Sequence, residues 1–277
     1  METPGNLKNL TSFNSLNHFK SRYEAGLPIT SPIRVVLDHT QMVIDEKIMF
    51  PSRETYSLAM FVGHIINASM RRPLHVLDVG TGSGVNMIAL AKTITDTNST
   101  QFIASDIDPR ALQYAEANFA INGIQEVDLR QRDTLEGMSQ EYGKIDVIFT
   151  SPPWYPGEIY YPEAFKPQLA VDGGQDGLSF YRELIIQSKE VLSHLGMIAF
   201  RTTRWQWNDV YDLTKAHFPM LDKYAIYLAP KRQKRPSGLI IANSAGFAFN
   251  KGFNSYIESN DFHNMGIPPL RIKYIER

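Results

Sequence analysis

Short runs of apolar and β-branched residues alternate with amphipathic stretches from Leu74 onward. Such short runs are typical of buried strands, and apolar residues spaced three and four apart are typical of helices. We predict strands over Leu74–Gly80, Gln101–Asp106, Glu126–Gln131, Ile145–Thr150 and Gly196–Arg201, and helices over Val85–Ile94, Pro109–Asn122, Leu178–Leu192 and Asp209–His217. The regular alternation of the two patterns predicts βαβ units and a parallel sheet.

Two further β-rich runs, Tyr224–Leu228 and Leu239–Phe249, flank the basic loop Lys231–Arg235. We interpret them as a terminal antiparallel pair. The predicted fold class is therefore α/β and Rossmann-like, with a seven-stranded, mostly parallel sheet and an antiparallel terminal strand pair. A purely parallel dinucleotide-binding sheet fits this pattern less well.

The length of 277 residues suffices for one large α/β domain with an appendage. We expect residues 1–70 to form a small N-terminal cap or hairpin region that contributes to the substrate opening. Residues 71–277 would then form the main domain.

Composition narrows the classes of function. The formal net charge of -1 argues against a protein that coats nucleic acid through its overall field. The absence of cysteine excludes disulfides, thiolate zinc sites and thiol catalysis. The seven histidines are scattered without the spacing of metal ligands, so we expect no metal site.

The segment Met1–Lys20 is polar and rich in Asn and Ser, without the apolar core of a signal peptide. No apolar run approaches the roughly 20 residues that span a bilayer. We therefore expect a soluble, cytoplasmic protein without a membrane partner.

A glycine-rich turn, Asp78–Gly84 (DVGTGSG), joins the first predicted strand to a helix. Glycines let a ligand approach main-chain amides that a Cβ would block. The spacing is G-x-G-x-G, whereas a pyrophosphate-binding loop usually has G-x-G-x-x-G. The carboxylate of Asp78 would repel a pyrophosphate but suits the cationic amino-acid end of S-adenosylmethionine. A tight turn without a ligand is the alternative.

Three aspartates follow the next strands. Asp106 ends the second strand, where a carboxylate can accept hydrogen bonds from both ribose hydroxyls, although nicotinamide enzymes use the same position. Asp108 precedes Pro109 and is assigned as the helix N-cap. Asp133 follows the third strand and either meets the adenine amino group or is a solvated loop residue.

The tetrapeptide Ser151-Pro152-Pro153-Trp154 follows the strand Ile145–Thr150, beside the glycine loop. Two consecutive prolines stiffen the backbone and remove two donors, which leaves carbonyls and the Ser151 hydroxyl as acceptors for N–H groups. Trp154 offers a flat face on which an amide or base can stack. Such acceptors would return electron density to a planar nitrogen and orient it for methyl transfer. A rigid turn with a core Trp is the alternative.

Five segments carry a family resemblance: FPSRET at Phe50–Thr55, DVGTGSG, SDIDPRAL followed by AEANFAINGI, SPPW, and LAVDGGQDGLSFYR at Leu169–Arg182. In this order the chain resembles the release-factor glutamine methyltransferase (HemK) family of class I, S-adenosylmethionine-dependent methyltransferases. The likeness spans roughly residues 50 to 201. Ser151 stands where that family has Asn, and Trp154 where it has Tyr.

The resemblance implies a Rossmann-like methyltransferase with S-adenosyl-L-methionine as cofactor. The candidate cofactor-binding residues are Phe50, Asp78, Gly80, Thr81, Gly82, Gly84, Asp106, Ile107, Asp133 and Thr134. The tetrapeptide Ser151, Pro152, Pro153 and Trp154 would hold the nitrogen to be methylated. The substrate-binding candidates are Arg53, Glu54, Thr55, Tyr155 and Arg201, although the first three could simply start a helix capped by Ser52.

The function that we predict is N-methylation of a planar nitrogen in an amide or a small nitrogenous metabolite. An exocyclic base nitrogen of RNA or DNA is the alternative acceptor. A nicotinamide dehydrogenase and a catalytically silent Rossmann-like binding subunit are further alternatives, which the G-x-G-x-G spacing and the SPPW motif disfavour.

Three other groups of residues have two interpretations each. Arg201, Arg204, Trp205 and Trp207 form either a substrate wall or a packed helix surface. The loop Lys231–Arg235 either touches phosphates or is solvated. Tyr155, Glu158, Tyr160 and Tyr161 form either an aromatic lid or a packed loop.

Overall fold

The computed structural model describes residues 33–37, 40–45, 47–69, 74–141, 143–157, 168–203, 205–218, 220–228, 237–243 and 270–274. Its strands are β1 (Ile33–Leu37), β2 (Thr40–Ile44), β3 (Leu74–Val79), β4 (Thr100–Asp106), β5 (Val127–Gln131), β6 (Ile145–Thr150), β7 (Leu192–Thr202), β8 (Met220–Leu228), β9 (Ser237–Asn243) and β10 (Leu270–Tyr274). Its helices are α1 (Arg53–Ser69), α2 (Val85–Thr93), α3 (Pro109–Ile121), α4 (Gln168–Val171), α5 (Ser179–Val191) and α6 (Trp207–His217).

The main sheet has the strand order β10-β8-β9-β7-β6-β3-β4-β5. Strands β3 to β7 pair in parallel, and β8, β9 and β10 pair antiparallel. The predicted Rossmann-like class and the antiparallel terminal pair are confirmed. The predicted number of seven strands is one too few, because β10 adds an edge strand on β8. The run Leu270–Tyr274 was not among the predicted strands.

The strand order reverses between β3 and β6. From β3 the chain proceeds outward through β4 and β5, and then returns to β6 on the other side of β3. In open α/β sheets the crevice at such a reversal, at the carboxyl ends of the strands, is where ligands bind. The glycine loop follows β3 and Ser151 follows β6, whereas Asp106 is the last residue of β4. All three therefore lie at this edge.

The described part of the N-terminal region is the β1–β2 hairpin and helix α1. Apolar residues of this region, including Met42 and Phe61, belong to the same buried cluster as Val76 of β3 and Met87 of α2. Burial of such side chains contributes about 1.5–3 kcal/mol each. The division into domains at residue 70 stays a prediction.

Among the described residues, no helix combines the length and the apolar character needed to cross a membrane.

Candidate active site

One cavity of about 350 Å³ lies at the carboxyl ends of β3, β4 and β6. This volume lies within the usual range of small-molecule sites, about 300–1,000 Å³. Its wall contains eleven residues that the sequence predicts for the site: Phe50, Thr55, Gly80, Thr81, Gly82, Asp106, Ile107, Asp133, Thr134, Ser151 and Pro153. The structure therefore brings the cofactor motif and the SPPW motif to a single cavity.

The glycine loop forms one end of this cavity. Gly82 has a φ of 56° and Gly84 a φ of 82°, in the left-handed region that side chains with a Cβ rarely adopt. A Cβ on Gly84 would lie 2.7 Å from Cε1 of Phe119. Helix α3 can therefore pack this closely against the loop only because Gly84 has no Cβ. Gly84 itself lies outside the cavity wall. Its positive φ lets the loop turn into helix α2.

Asp78 lies behind the glycine loop and not in the cavity wall. Its carboxylate is fully buried and accepts hydrogen bonds from Oγ1 of Thr81 at 2.7 Å and from Nδ2 of Asn86 at 3.3 Å. Burial raises the pKa of Asp78 to about 7, against the opposing effect of these two hydrogen bonds. Thr81 and Asn86 both line the cavity. Asp78 therefore does not line the cavity, but it fixes the position of two side chains that do.

Asp106 points into the cavity wall from the end of β4. Its Oδ2 accepts from the Gly82 amide at 2.8 Å, and its Oδ1 accepts from the Asp108 amide at 3.0 Å. Burial raises the pKa of Asp106, against the effect of these amides. Each carboxylate oxygen keeps a further lone pair, which suits a vicinal diol.

Asp108 caps helix α3, because its Oδ1 accepts from the Arg110 amide at 2.8 Å with Pro109 in the first turn. The assignment of Asp108 as the cap is confirmed.

The wall continues at Asp133 and Thr134 after β5. Asp133 is exposed, whereas Thr134 is 4% exposed and has a φ of 50°. A β-branched residue at this φ is strained, and such strain concentrates at functional sites. The Oγ1 of Thr134 donates to Oε2 of Glu183 at 3.4 Å, which ties this end of the cavity to α5.

The SPPW tetrapeptide follows β6, which neighbours β3 in the sheet, so it lies beside the glycine loop. The Oγ of Ser151 is buried and has no hydrogen-bond partner within the described ranges. Pro153 lines the cavity, but Pro152 and Trp154 do not. The Trp154 ring stacks on Tyr155 with centroids 3.8 Å apart and meets Trp205 edge-on at 5.6 Å. The tryptophan therefore packs against two aromatic neighbours, and its contact with a substrate stays a prediction.

Gln206, which the sequence analysis missed, clamps this tetrapeptide. It is 2% exposed, and its Nε2 donates to the carbonyls of Trp154 at 2.9 Å and Gly177 at 2.8 Å. Its Oε1 accepts from Oγ1 of Thr203 at 3.0 Å. A Cβ on Gly177 would lie 2.6 Å from the Trp154 carbonyl oxygen, so this glycine permits the close approach. The DGGQDGL motif therefore forms a loop that supports the tetrapeptide.

The N-terminal region contributes Lys47–Pro51 and Thr55 to the wall. Ser52 caps helix α1, since its Oγ accepts from the Thr55 amide at 3.2 Å. Thr55 therefore lies in the first turn of a helix and also in the cavity wall, and its contact with a substrate stays a prediction. The side chains of Arg53 and Glu54 lie outside the described residues.

Tyr155 and Arg201 lie outside the cavity wall. The Tyr155 amide donates to the Val171 carbonyl at 2.8 Å, and the Tyr155 carbonyl accepts from the Gly173 amide at 2.7 Å. The Nη1 of Arg201 donates to Oγ of Ser52 at 3.4 Å. Their contact with a substrate stays a prediction.

Several wall residues were not predicted from the sequence: Lys47, Ile48, Met49, Asn86, Arg132, Leu169, Asp172, Ser179, Phe180 and Glu183. Asn86 follows the glycine loop by two residues, and a polar residue inside an otherwise apolar buried helix was the available signal. The others are chain neighbours of Phe50 or Asp133, or lie in or directly after the segment Leu169–Arg182, for which no site role was predicted.

Three predicted features lie outside the described residues: the lid residues Glu158, Tyr160 and Tyr161, the side chain of Arg204, and the basic loop Lys231–Arg235. Within the described ranges, no cluster of His, Asp and Glu could hold a metal ion.

The chain matches the family model of the methyltransferase domain over residues 71–219. It is 29% identical over 212 residues to the release factor glutamine methyltransferase of Bacillus cereus, with 74% of each chain covered. It is 32% identical over 184 residues to the enzyme of that name from Streptococcus pneumoniae, covering 64% of this chain and 61% of the relative. These matches confirm the resemblance predicted from the motifs.

Solved structures share the fold. A SAM-dependent methyltransferase from Agrobacterium tumefaciens superposes with a TM-score of 0.53 at 14% identity, covering 79% of this chain and 72% of that one. A spermidine synthase in complex with the transition state analogue AdoDATO superposes with a TM-score of 0.50 at 18% identity, covering 72% and 63%. At these identities the likeness supports the Rossmann-like fold alone.

Proposed function

The chain belongs to the methyltransferase-domain family and is an S-adenosylmethionine-dependent methyltransferase, and we propose that it methylates a planar amide nitrogen. The acceptor that we propose is the side-chain carboxamide of a glutamine presented by a protein. Its relatives are named for this reaction on a release factor.

The residues of the cavity fit S-adenosylmethionine. The glycine loop leaves room for its amino-acid end, and the remaining lone pairs of Asp106 suit its ribose hydroxyls. The described wall carries the carboxylates of Asp106, Asp108, Asp133, Asp172 and Glu183 and the cations of Lys47 and Arg132. This excess of negative charge favours a cofactor that carries a net positive charge. When bound, the cofactor supplies an electrophilic methyl group.

The observation that carries the proposal is the buried, unpartnered Oγ of Ser151 beside the cofactor loop. A buried hydroxyl without a partner costs about 1–3 kcal/mol, and a bound N–H group would remove this cost. The hydroxyl accepts from the amide N–H with one of its lone pairs. Such a hydrogen bond increases the electron density on the amide nitrogen, whose own lone pair is delocalised.

The prolines of the tetrapeptide fix this acceptor in place. Pro152 and Pro153 contribute no N–H, so the backbone here presents carbonyls to the incoming amide. Gln206 occupies the Trp154 carbonyl, which leaves the earlier part of the tetrapeptide to the substrate. Catalysis then comes from orientation and electrostatics, without a strong base, because the amide nitrogen becomes strongly acidic once it carries the methyl group and releases its proton to water.

The charge of the wall bears on the competing acceptors. Nucleic acid binding relies on cations that neutralise phosphates. The described wall has more carboxylates than cations, which disfavours an acceptor base in RNA or DNA. A small nitrogenous metabolite carries no such penalty and is the second candidate.

An acceptor panel tests the proposal. Purified protein is incubated with isotopically labelled S-adenosylmethionine and, in separate reactions, an unmethylated release factor, glutamine-containing peptides, small amides, and RNA and DNA oligonucleotides. We expect label on a protein glutamine, with fragmentation placing the methyl group on the side-chain nitrogen. Label on a nucleic acid base, or on an oxygen atom of any acceptor, would overturn the proposal.

A further inference from the structure

A polar stripe runs along one face of helix α3, formed by Arg110, Tyr114, Asn118 and Asn122. Residues four apart lie on the same face of a helix. Arg110 and Tyr114 both donate to Oδ2 of Asp45, Asn118 bonds Val43, and Asn122 donates to the Gln41 carbonyl at 2.6 Å. The stripe thus contacts the N-terminal hairpin along most of β2 and the residue that follows it.

Asn118 joins the hairpin to the glycine loop. It is 0% exposed, and its Oδ1 accepts from the Val43 amide at 2.6 Å. Its Nδ2 donates to the carbonyls of Val43 at 3.0 Å and Ser83 at 2.8 Å. A carboxamide has the same hydrogen-bonding groups as a peptide unit, so Asn118 pairs with Val43 as a neighbouring strand would. Ser83 lies within the glycine loop and lines the cavity.

Asp45 then directs the chain from the hairpin into the cavity wall. It is 5% exposed and is held on α3 by Arg110 and by the Tyr114 hydroxyl at 2.8 Å. Its Oδ1 accepts from the Lys47 amide at 2.9 Å, and its carbonyl accepts from the Ile48 amide at 3.1 Å. The segment Lys47–Pro51, which follows this turn, lines the cavity.

We propose that Asn118 is a positioning residue for cofactor binding, which couples docking of the N-terminal hairpin to the shape of the glycine loop. Because one carboxamide bonds both the hairpin and the glycine loop, a displacement of either element should displace the other. Coupling of this kind is reciprocal: the hairpin strengthens cofactor binding, and the cofactor strengthens hairpin docking. The inference concerns the cofactor end of the cavity and is independent of which acceptor is methylated.

Calorimetric titration of S-adenosylmethionine and S-adenosylhomocysteine tests the first half. In Asn118→Ala the groups of Val43 and Ser83 lose their partner, and we expect affinity for both ligands to fall at least about tenfold. The matched control is Asn67→Ala, since Asn67 also bridges two segments, through Thr93 and Thr95, but lies away from the cavity. The control should bind within twofold of the wild type. Circular dichroism establishes that each variant is folded at the titration temperature.

Hydrogen exchange of the wild-type protein tests the second half and needs no variant to fold. The strand Thr40–Ile44 lies outside the cavity wall, so its amides report coupling and not direct contact. We expect saturating S-adenosylhomocysteine to slow exchange in this strand severalfold. Unchanged exchange there, or a folded Asn118→Ala protein with wild-type affinity, would overturn the proposal.

Discussion

The two ends of the cavity differ in how their polar groups are satisfied. At the cofactor end, both oxygens of Asp106 accept backbone amides, and Asp78 is held by Thr81 and Asn86. At the acceptor end, the Ser151 hydroxyl is buried without a partner in the described structure. The groups around Asp78 and Asp106 are therefore organised before any ligand binds, whereas Ser151 keeps one hydrogen-bonding group, which we propose is for the substrate.

This comparison predicts that changes at the acceptor end alter turnover and changes at the cofactor end alter affinity for S-adenosylmethionine. Two substitutions test this division and a third tests the burial of Asp78, from the largest expected effect on catalysis to the smallest.

Gln206→Glu should have the largest effect on turnover. A carboxylate would face the carbonyls of Trp154 and Gly177, to which the Gln206 amide now donates. We expect kcat to fall about 100-fold at pH 8, because two hydrogen bonds are lost and a charge is buried. Burial and the carbonyls raise the pKa of the new carboxyl, so protonation restores one donor and kcat should recover in part at pH 6.

The pH–rate profile of the wild type serves as the reference, and we expect no such recovery in it at acid pH. Gln206→Met, which cannot ionise, should show the loss without the recovery. Equal recovery in both variants would mean that the clamp does not act through these hydrogen bonds.

Asp106→Ala should lower affinity for S-adenosylmethionine by about 10- to 100-fold, because hydrogen bonds to a carboxylate contribute about 1.5–3 kcal/mol. Calorimetry measures this affinity directly. Since burial raises the pKa of Asp106, wild-type affinity should also decline as the pH falls through that raised pKa and the carboxylate is protonated. An affinity that the substitution leaves unchanged would show that Asp106 does not bind the cofactor.

Asp78→Asn should have the smallest effect on catalysis, and its main effect concerns stability. The pKa of Asp78 is raised to about 7 in the folded protein, so the folded state holds a proton that the unfolded state releases above about pH 4. This group therefore makes the protein less stable as the pH rises from about 4 to about 7. Thermal unfolding should show that the substitution weakens this decline. A decline of the same size in both proteins would contradict the burial argument.

The position of the glycine loop and of Asp106 in the cavity could be predicted from the sequence, because the residues that shape each turn are contiguous. The turn Asp78–Gly84 and the pair Asp106 and Asp108 each lie within one strand-to-helix connection, where spacing alone fixes the geometry. The alternation of strands and helices likewise predicted the mostly parallel sheet.

Two supports of the cavity, Gln206 at the acceptor end and Asn118 at the cofactor end, could not be predicted, because they join residues that are distant in the chain. Gln206 acts 52 residues from Trp154, and Asn118 bonds Val43 across 75 residues. A buried Gln or Asn has no periodic signature, so only the tertiary fold reveals its partners. For the same reason the contact of Trp154 with Trp205 was not predicted, and the role of Trp154 as a stacking face for the substrate stays a prediction.

The most direct test compares Ser151→Ala with Ser105→Ala. Both hydroxyls are buried without a described partner, but only Ser151 lines the cavity. With the acceptor identified by the panel, we predict that Ser151→Ala lowers kcat by about 10- to 100-fold with unchanged affinity for S-adenosylmethionine, whereas Ser105→Ala keeps both. Equal kcat values in the two variants would contradict the assignment of the Ser151 hydroxyl to the methyl acceptor.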